Sequence, residues 1–535
     1  MPRYRKTALI GALMIPVVAG GFLLQSRTPA GNGALLEQVM RLVSQQYVDT
    51  LQPGDVYEKA AQGLVRELND PYSELLTPKD VKAFNSRTNG RYGGLGMLIQ
   101  EDPRSHEMSV VTVYPNSPAE GGGVREGDKI VKVGPLSTQG WTINQVSDSL
   151  TGIPGSKVNV TFSRPGVGTP INGTFTRAQI HIPAVPYAIT LGNNIAYIPL
   201  LQFNENASEN TAAALRRMQA QGARGVIIDM RGDPGGILTE SLDIANMFLE
   251  PGKQIATVKS REGPVEAYTA KAAPVAPTIP LVILTDDHTA SAAEIVAGAL
   301  QDHDRALVIG QTSFGKGLVQ GVYNLDGGYA LKLTTGKWFT PSGRSIQHPR
   351  KFVNGQFVEE KVDTNETNAT KMKRPVFRSD AGRVVYGGGG ITPDVIVQDD
   401  TLTTAEQQFA KAVAPKGPDF YTVLYDYSME LAKTAAPSFT IQPTWINDFY
   451  TRLQAKGVTV DRKLYDGAHR YVTRQLEQRI AHYAFGDSTA KRRDLTYDAP
   501  LRKALDLLDK AGNQRDLFTV AGETLAHVPS AAKSP

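Results

Sequence analysis

Residues 281–320 read LVILTDDHTASAAEIVAGALQDHDRALVIGQTSFGKGLVQ, and this stretch decides the fold class. It opens with an apolar run at 281–284 that is bounded by Pro and Asp, the pattern of a short buried strand. An Ala-rich run at 292–300 is typical of a helix, and a second apolar run at 306–309 indicates another buried strand. The alternation of strand, helix and strand predicts an α/β sheet.

Ser291 lies at the junction between the predicted turn and the predicted helix. Free N–H groups at a helix N-terminus favour a developing negative charge. A nucleophilic Ser291 could therefore use the N–H of Ala292 to stabilise the oxyanion that forms when it attacks a carbonyl. Serine is also a preferred helix cap, so this residue alone leaves a purely structural role open.

A second candidate group is Lys316, which stands between Gly315 and Gly317. A serine nucleophile needs a base, and a lysine serves when desolvation lowers its pKa towards neutrality. Gln320 follows four residues later and could orient the amine. Most lysines are solvated surface residues, so Lys316 gains meaning only together with Ser291.

A third segment follows the apolar run at 226–230 and reads RGDPGG at 231–236. Gly-Pro turns are common at strand ends, so this one could be ordinary. However, Ser291 and Lys316 also follow predicted strands. We therefore expect the three segments to converge at one edge of the sheet.

The runs TASAAEI, GQTSFGKGLVQ and RGDPGG together resemble the motifs of the carboxyl-terminal processing proteases, the tail-specific S41 serine peptidases. The resemblance implies an α/β serine-protease core of the ClpP/crotonase-like type. It implies Ser291 as the nucleophile, Lys316 as the general base and Gln320 as the residue that orients the lysine. It makes the protein a serine-type endopeptidase.

The same resemblance implies an oxyanion hole formed by the N–H of Ala292 and that of Gly235 or Gly236, and the sequence does not choose between the two glycines. Asp233 stands where Asn is frequent in the resembled motif. Ser313, within the lysine motif, is assigned no role.

Residues 90–165 resemble a PDZ domain, because a G-L-G-M run is followed by GDKIVKV at 127–133. In such domains successive backbone N–H groups hold a C-terminal carboxylate while the peptide adds a strand to the sheet edge. The predicted carboxylate-binding loop consists of Gly94, Leu95, Gly96 and Met97. The resemblance implies protein or peptide substrates with apolar C-termini.

The N-terminal sequence is typical of a sorting signal. Arg3, Arg5 and Lys6 precede an apolar run at 7–24, which predicts a signal peptide or an N-terminal membrane anchor over 1–26. The body of the chain is expected in the periplasm or another extracytoplasmic space, and an uncleaved segment would anchor it to the inner membrane. The absence of cysteine excludes a cysteine protease, a zinc–thiolate site and a disulfide scaffold.

The 535 residues are long enough for several domains, and the predicted fold class is multidomain α/β. The predicted parts are the signal or anchor at 1–26, an N-terminal helical region at 31–89, the PDZ domain at 90–170, the S41 protease core at 171–400 and a C-terminal helical domain at 401–535. The N-terminal region carries dimer contacts in many members of the resembled family, so a homodimer is one candidate assembly. An adaptor protein is a further candidate partner. The net charge of +4 and the lack of a dense basic stripe give no case for nucleic acid.

Two alternatives stay open. His288, three residues before Ser291, could be the base of a Ser-His hydrolase, although most triads draw their base from a distant segment. A catalytically inactive PDZ scaffold is the second alternative, and the presence of both Ser291 and Lys316 disfavours it. No metal or cofactor is predicted, since the eight histidines are scattered and no H-E-x-x-H motif occurs.

Overall fold

The computed structural model describes most of the chain after its N-terminal segment. The described residues are 32–101, 106–114, 116–164, 167–353, 356–359, 366–367 and 369–526. The predicted signal peptide or anchor at 1–26 lies outside them. Among the helices that are described, none is both long and apolar enough to cross a membrane. The chain divides into two units, which consist of Met1–Pro78 with Gln320–Thr334 and of Lys79–Val319 with Thr335–Pro535.

The first unit contains two helices at the positions of the predicted N-terminal helical stripes. Its elements are α1 (Asn32–Gln46), α2 (Pro53–Arg66) and β1 (Glu74–Leu76). Strand β1 pairs antiparallel with residues 330–332. The hydroxyl of Tyr329 donates to the carboxylate of Glu58 at 2.6 Å, which fixes this strand against α2.

The second unit begins with a helix that leads into an antiparallel sheet of PDZ type. The elements are α3 (Pro78–Asn89), β2 (Arg91–Gly94), β3 (Met97–Glu101), β4 (Met108–Val113), α4 (Pro118–Gly121), β5 (Lys129–Val133), β6 (Leu136–Ser137), α5 (Ile143–Leu150), β7 (Lys157–Ser163), β8 (Ile171–Thr176) and β9 (Ala178–His181). The strand order in the sheet is β3-β4-β5-β7-β8, with β6 paired to β5, while β2 pairs with β9. A reciprocal capping box between Thr142 and Gln145 starts α5.

The PDZ sheet continues past the predicted boundary at residue 170, which was therefore wrong. Strand β8 pairs antiparallel with β7 from residue 171 to residue 176. Phe175 of β8 is buried and meets Phe162 edge-on, with ring centroids 6.0 Å apart. The Pro- and Gly-rich sequence before β8 was interpreted as the end of a domain, whereas it joins two strands of one hairpin.

The core of the second unit is a six-stranded sheet. Its strands, in spatial order, are β10 (Ile189–Leu191), β11 (Ile195–Pro199), β12 (Gly225–Asp229), β15 (Leu281–Thr285), β16 (Leu307–Gly310) and β23 (Val395–Ile396). Strand β10 is antiparallel to β11, and the remaining neighbours are parallel. Every residue of β11, β12, β15 and β16 is buried, as expected for parallel strands with near-continuous apolar sequences.

Helices cover both faces of this sheet. One hydrophobic core joins it to α6 (Ala207–Ala220), α7 (Leu238–Asn246) and α8 (Ala292–Asp302). A second core joins its other face to α15 (Ala499–Lys510) and α16 (Gln514–Ala526). The last two helices thus complete the protease core, although the sequence placed them in a separate domain from residue 401. Their apolar spacing predicts an amphipathic helix but does not identify the surface that it covers.

The other C-terminal helices form a bundle with an aromatic core of its own. They are α9 (Thr404–Val413), α10 (Gly417–Ala432), α11 (Pro443–Ala455), α12 (Arg462–Gly467), α13 (His469–Phe485) and α14 (Asp487–Asp494). Phe409, Phe420 and Phe449 lie at its centre with neighbouring rings 5.7–6.0 Å apart. The bundle contacts the turn before β5 of the PDZ domain, since Nε2 of His482 lies 2.9 Å from the carboxylate of Glu126.

The remaining strands form small sheets around the core. They are β13 (Gln254–Ser260), β14 (Glu266–Thr269), β17 (Leu318–Asn324), β18 (Ala330–Phe339), β19 (Arg350–Val353), β20 (Gln356–Glu359), β21 (Val376–Arg378) and β22 (Val384–Tyr386). Strand β13 pairs with β14 and with residues 336–339 of β18. The last four strands form two antiparallel hairpins.

Candidate active site

Three loops at the carboxyl edge of the core sheet hold the candidate catalytic residues. They are the RGDPGG loop (231–236), the serine loop (286–291) and the lysine loop (311–317), which follow β12, β15 and β16. These strands are direct neighbours in the sheet and run parallel. Their carboxyl ends therefore meet at one edge, where ligands of α/β sheets bind.

Backbone hydrogen bonds join the three loops. The N–H of Gly232 in the RGDPGG loop donates to the carboxylate of Asp286 in the serine loop at 2.9 Å. The N–H of Phe314 in the lysine loop donates to the carbonyl of Thr289 in the serine loop, also at 2.9 Å. The serine loop is thus held from both sides.

Ser291 is partly exposed and precedes the first residue of α8. Its backbone has φ 55° and ψ −113°, a conformation that non-glycine residues rarely adopt. Such strain costs on the order of 1–3 kcal/mol and tends to occur at functional sites. Helix α8 is buried along its whole length, so the surrounding packing can hold Ser291 in this conformation.

A buried carboxylate joins the serine loop to the lysine loop. Oε2 of Glu294 accepts the N–H of Ser291 at 2.7 Å and the N–H of Lys316 at 2.9 Å. Oε1 accepts the N–H of Gly315 at 2.7 Å and the hydroxyl of Ser313 at 2.5 Å. One atom therefore sets the distance between the backbones of the predicted nucleophile and the predicted base.

The surroundings of Glu294 change the pKa of its carboxyl group. Burial raises the pKa of Glu294 to about 7, while the four hydrogen bonds that it accepts work in the opposite direction. The ionised form is the one that can accept all four donors, because a protonated carboxyl must donate one hydrogen bond. Burial thus makes the carboxyl of Glu294 costly to ionise, and the ionised carboxylate accepts hydrogen bonds with both of its oxygens.

The lysine loop is packed too tightly for larger residues. A Cβ added to Gly315, which has φ 86°, would lie 2.4 Å from Cδ2 of His348. A Cβ added to Gly317 would lie 2.8 Å from the backbone nitrogen of Gln347. The carbonyl of Lys316 accepts the indole N–H of Trp338 at 3.0 Å. Lys316 itself is partly buried, and both its backbone N–H and its carbonyl form hydrogen bonds.

The RGDPGG loop lies against Ser291. A Cβ added to Gly235 would lie 2.8 Å from the backbone nitrogen of Ala292 and 2.9 Å from Cβ of Ser291. The N–H of Gly235 donates to Oδ1 of Asp233 at 2.8 Å. Within the described part of the chain, no acceptor bonds to the N–H of Gly236. Gly236 is therefore the better candidate for the second oxyanion donor.

A buried ion-pair network ties this loop to the C-terminal helix α15. The guanidinium of Arg231 donates to Asp229 at 2.6 and 2.9 Å and to Asp498 at 2.8 and 2.9 Å. Asp498 also caps α15 by accepting the N–H of Leu501 at 3.0 Å. Although burial opposes it, the positive charge of Arg231 lowers the pKa of Asp498. Sequence reasoning missed this tether, because its members lie far apart in the chain.

Two other predicted groups have partners of their own. Nε2 of Gln320 donates to Oγ1 of Thr334 at 3.4 Å, and its role in orienting Lys316 stays a prediction. The ring of His288 is exposed, and its Nδ1 lies 2.7 Å from the carboxylate of Asp287. Asp286, Asp287 and His288 are close enough to share a metal ion, but the carboxylate of Asp286 already accepts N–H groups from its own turn.

The predicted carboxylate-binding loop of the PDZ domain connects β2 to β3. Leu95 is buried, and Gly96 has φ 81° with no room for a Cβ beside Ser117. The hydroxyl of Tyr92 faces the backbone of Gly96 and Met97, whose N–H groups act to lower its pKa. Burial raises the pKa of Tyr92 to about 12, so the hydroxyl stays neutral.

Comparison with known proteins agrees with this architecture. Residues 194–351 match the family model "Peptidase family S41", and residues 109–164 match the model "PDZ domain". The carboxy-terminal processing protease CtpA of Bacillus subtilis is 31% identical over 361 residues, which cover 67% of this chain and 76% of that protein. The carboxyl-terminal-processing protease of Synechocystis is 31% identical over 384 residues, which cover 66% of this chain and 89% of that protein.

Among solved structures, the photosystem II D1 C-terminal processing protease is 29% identical. It matches with a TM-score of 0.36 over 61% of this chain and 85% of its own. The chain belongs to peptidase family S41, the serine peptidases that include the carboxyl-terminal processing proteases, and it carries a PDZ domain.

Proposed function

We propose that this protein is an exported endopeptidase that cleaves proteins with a Ser-Lys dyad formed by Ser291 and Lys316. The observation that carries the proposal is the shared acceptor: Oε2 of Glu294 binds the N–H of both residues. This arrangement fixes a strained serine at a helix N-terminus next to a lysine from a separate, glycine-flanked loop. These are the parts that acyl transfer needs.

In the proposed reaction, the hydroxyl of Ser291 attacks the scissile carbonyl and neutral Lys316 accepts its proton. Lys316 then protonates the leaving amine, and Gln320 orients the lysine. The N–H groups of Ala292 and Gly236 stabilise the oxyanion. Removal of one such donor typically costs about 3 kcal/mol of transition-state stabilisation.

The PDZ domain is proposed to bind substrates by their apolar C-termini. Strand β3 lies at the edge of its sheet beside α5, so an extended peptide can add a strand there. Further parts of the proposal are a ClpP/crotonase-like type of protease core, a periplasmic or other extracytoplasmic location, an N-terminal membrane anchor if the first segment is not cleaved, and assembly as a homodimer or with an adaptor protein.

Mass spectrometry of cleavage products tests this function. Wild-type protein, Ser291→Ala and the matched control Ser163→Ala are incubated with a denatured protein that has an apolar C-terminus. Ser163 lies exposed in the PDZ sheet, so its removal is expected to leave the products unchanged. Ser291→Ala is expected to yield no specific products. The same peptides from Ser291→Ala and wild type would contradict the proposed nucleophile and support the scaffold alternative.

A further inference from the structure

The side chain of Asp233 is a buried group that the proposed reaction does not use. It is fully inaccessible to solvent, and its Oδ1 accepts the N–H of Gly235 at 2.8 Å. Its Oδ2 is also buried and has no hydrogen-bond partner among the described residues. A buried carboxylate normally has a cation or several donors, so this one is unusual.

The backbone of Asp233 also contacts the serine loop. Its carbonyl accepts the N–H of Ala290, the residue before the nucleophile, at 2.9 Å. The side chain of Asp233 thus bonds to Gly235, and its backbone bonds to the serine loop. When the N–H two residues later donates a hydrogen bond to an Asp side chain, the local turn is fixed. This bond keeps the N–H of Gly235 turned away and leaves that of Gly236 for the oxyanion.

The charges around Asp233 disfavour its ionisation. Burial raises its pKa well above the ordinary value; the hydrogen bond from the N–H of Gly235 opposes this rise, and the negative charge of Asp286 adds to it. The nearest cation along its own loop, Arg231, is bound to Asp229 and Asp498.

The other charged groups on the packed loops do not pair with Asp233. In the serine loop, Asp287 pairs with His288. From α8, Glu294 faces the lysine loop, where it accepts the N–H of Lys316. None of these groups donates a hydrogen bond to Asp233 in the part of the chain that the structure describes.

We propose that Asp233 positions the RGDPGG loop as an uncharged carboxylic acid, and that its ionisation at alkaline pH abolishes oxyanion stabilisation. The inference rests on the proposed nucleophile and oxyanion site. A negative charge in the loop that carries the oxyanion donor opposes the negative charge that forms on the substrate, and low-dielectric surroundings strengthen this repulsion. Asn at this position keeps the acceptor for Gly235 without a group that can ionise.

The pH profile of kcat/KM separates this role from a merely structural one. We compare wild type, Asp233→Asn and Asp233→Ala between pH 6 and pH 10.5. Wild type is expected to lose activity on the alkaline side. The fraction of pH 7 activity that remains at pH 10 is expected to be at least about tenfold larger for Asp233→Asn than for wild type, which corresponds to 1.4 kcal/mol in the barrier. Asp233→Ala is expected to lower kcat at every pH, with little change in KM. An alkaline decline that is identical in wild type and Asp233→Asn, or no decline in wild type, would overturn the inference.

A spectroscopic measurement distinguishes failure of this inference from failure of the proposed function. Infrared difference spectra of Ser291→Ala, with and without Asp233→Asn, isolate the carboxyl band of Asp233 in a protein that does not turn over. A protonated-carboxyl band at pH 7.5 is expected, and its absence would overturn the inference. Cleavage by Ser291→Ala would instead refute the nucleophile and leave the infrared result interpretable.

Discussion

Replacement of Glu294 by Gln is the sharpest test of the contact between the proposed nucleophile, Ser291, and the proposed base, Lys316. The four donors around the carboxylate come from Ser291, Ser313, Gly315 and Lys316. A glutamine has one oxygen and one NH2 group. In either orientation its NH2 group faces at least one backbone N–H, so at least one buried donor loses its acceptor. Such a loss costs about 1–3 kcal/mol.

The pKa of Glu294 gives the size of the pH-dependent change in the free energy of unfolding that Glu294→Gln should show. The pKa of Glu294 is raised from 4.5 to about 7, which corresponds to about 3 kcal/mol. For a raised pKa, the stabilising contribution is fully present below pH 4.5 and is lost as pH rises through 7. The free energy of unfolding of Glu294→Gln, relative to wild type, is therefore expected to improve by about 3 kcal/mol from pH 4.5 to pH 8.

The assay is urea unfolding followed by the fluorescence of Trp338, with Trp141 and Trp445 replaced by Phe in every variant. Trp338 is buried and bonds to the carbonyl of Lys316, so it reports on the lysine loop. Glu262→Gln, an exposed change on the loop after β13, is the matched control and is expected to show no such swing.

Activity is expected to move in the opposite direction. At pH 8 the ionised carboxylate of wild type holds both loops, so Glu294→Gln is expected to have a kcat lower by about tenfold or more. If Glu294→Gln becomes more stable relative to wild type as pH rises but turns over more slowly, the buried charge serves to align the serine and lysine loops. Equal pH dependence of stability in wild type and Glu294→Gln would refute this reasoning, as would an unchanged kcat.

Three further predictions concern the contacts around the site. Asp498→Asn is expected to lower the free energy of unfolding by about 3 kcal/mol, because it removes one of the three carboxylates that pair with the largely buried Arg231. The matched change Asp506→Asn, at a half-exposed side chain, should cost less than about 0.5 kcal/mol in the same urea titration. Tyr92→Phe is expected to bind a peptide with an apolar C-terminus more tightly by about a few-fold in calorimetry, because it removes a hydroxyl that faces the backbone of Gly96 and Met97. Weaker binding would contradict this. Hydrogen bonds to Asp487 and Glu126 raise the pKa of His482 to about 10. The stabilisation that these bonds give the folded protein is therefore fully present below pH 6.5 and is lost as pH rises through 10. The thermal unfolding temperature of His482→Gln should accordingly depend less on pH above 8 than that of wild type.

The sequence predicted the features that have local signals. Apolar runs identified the strands of the core sheet, and the glycine motifs after them identified the three loops at its edge. The order of these strands along the chain was enough to place the ends of β12, β15 and β16 together. The first helices were found because their periodicity is visible within a few residues. The PDZ region was found from its resemblance to the motifs of that domain.

The features that the sequence did not reveal depend on residues that meet only in the fold. Nothing near Glu294 in the sequence shows that the lysine loop returns to it. The partners Arg231 and Asp498 are 267 positions apart and carry no local pattern. The departure of Asp233 from Asn was visible, but its burial and its missing partner were not.

The most direct test of the central claim is kcat/KM for Lys316→Ala and His288→Ala on one peptide substrate. If Lys316 is the base, Lys316→Ala is expected to lose activity by about a thousandfold or more, while His288→Ala, a change at an exposed ring, stays within a few-fold of wild type. The opposite ranking, with activity lost in His288→Ala and kept in Lys316→Ala, would contradict the Ser-Lys dyad.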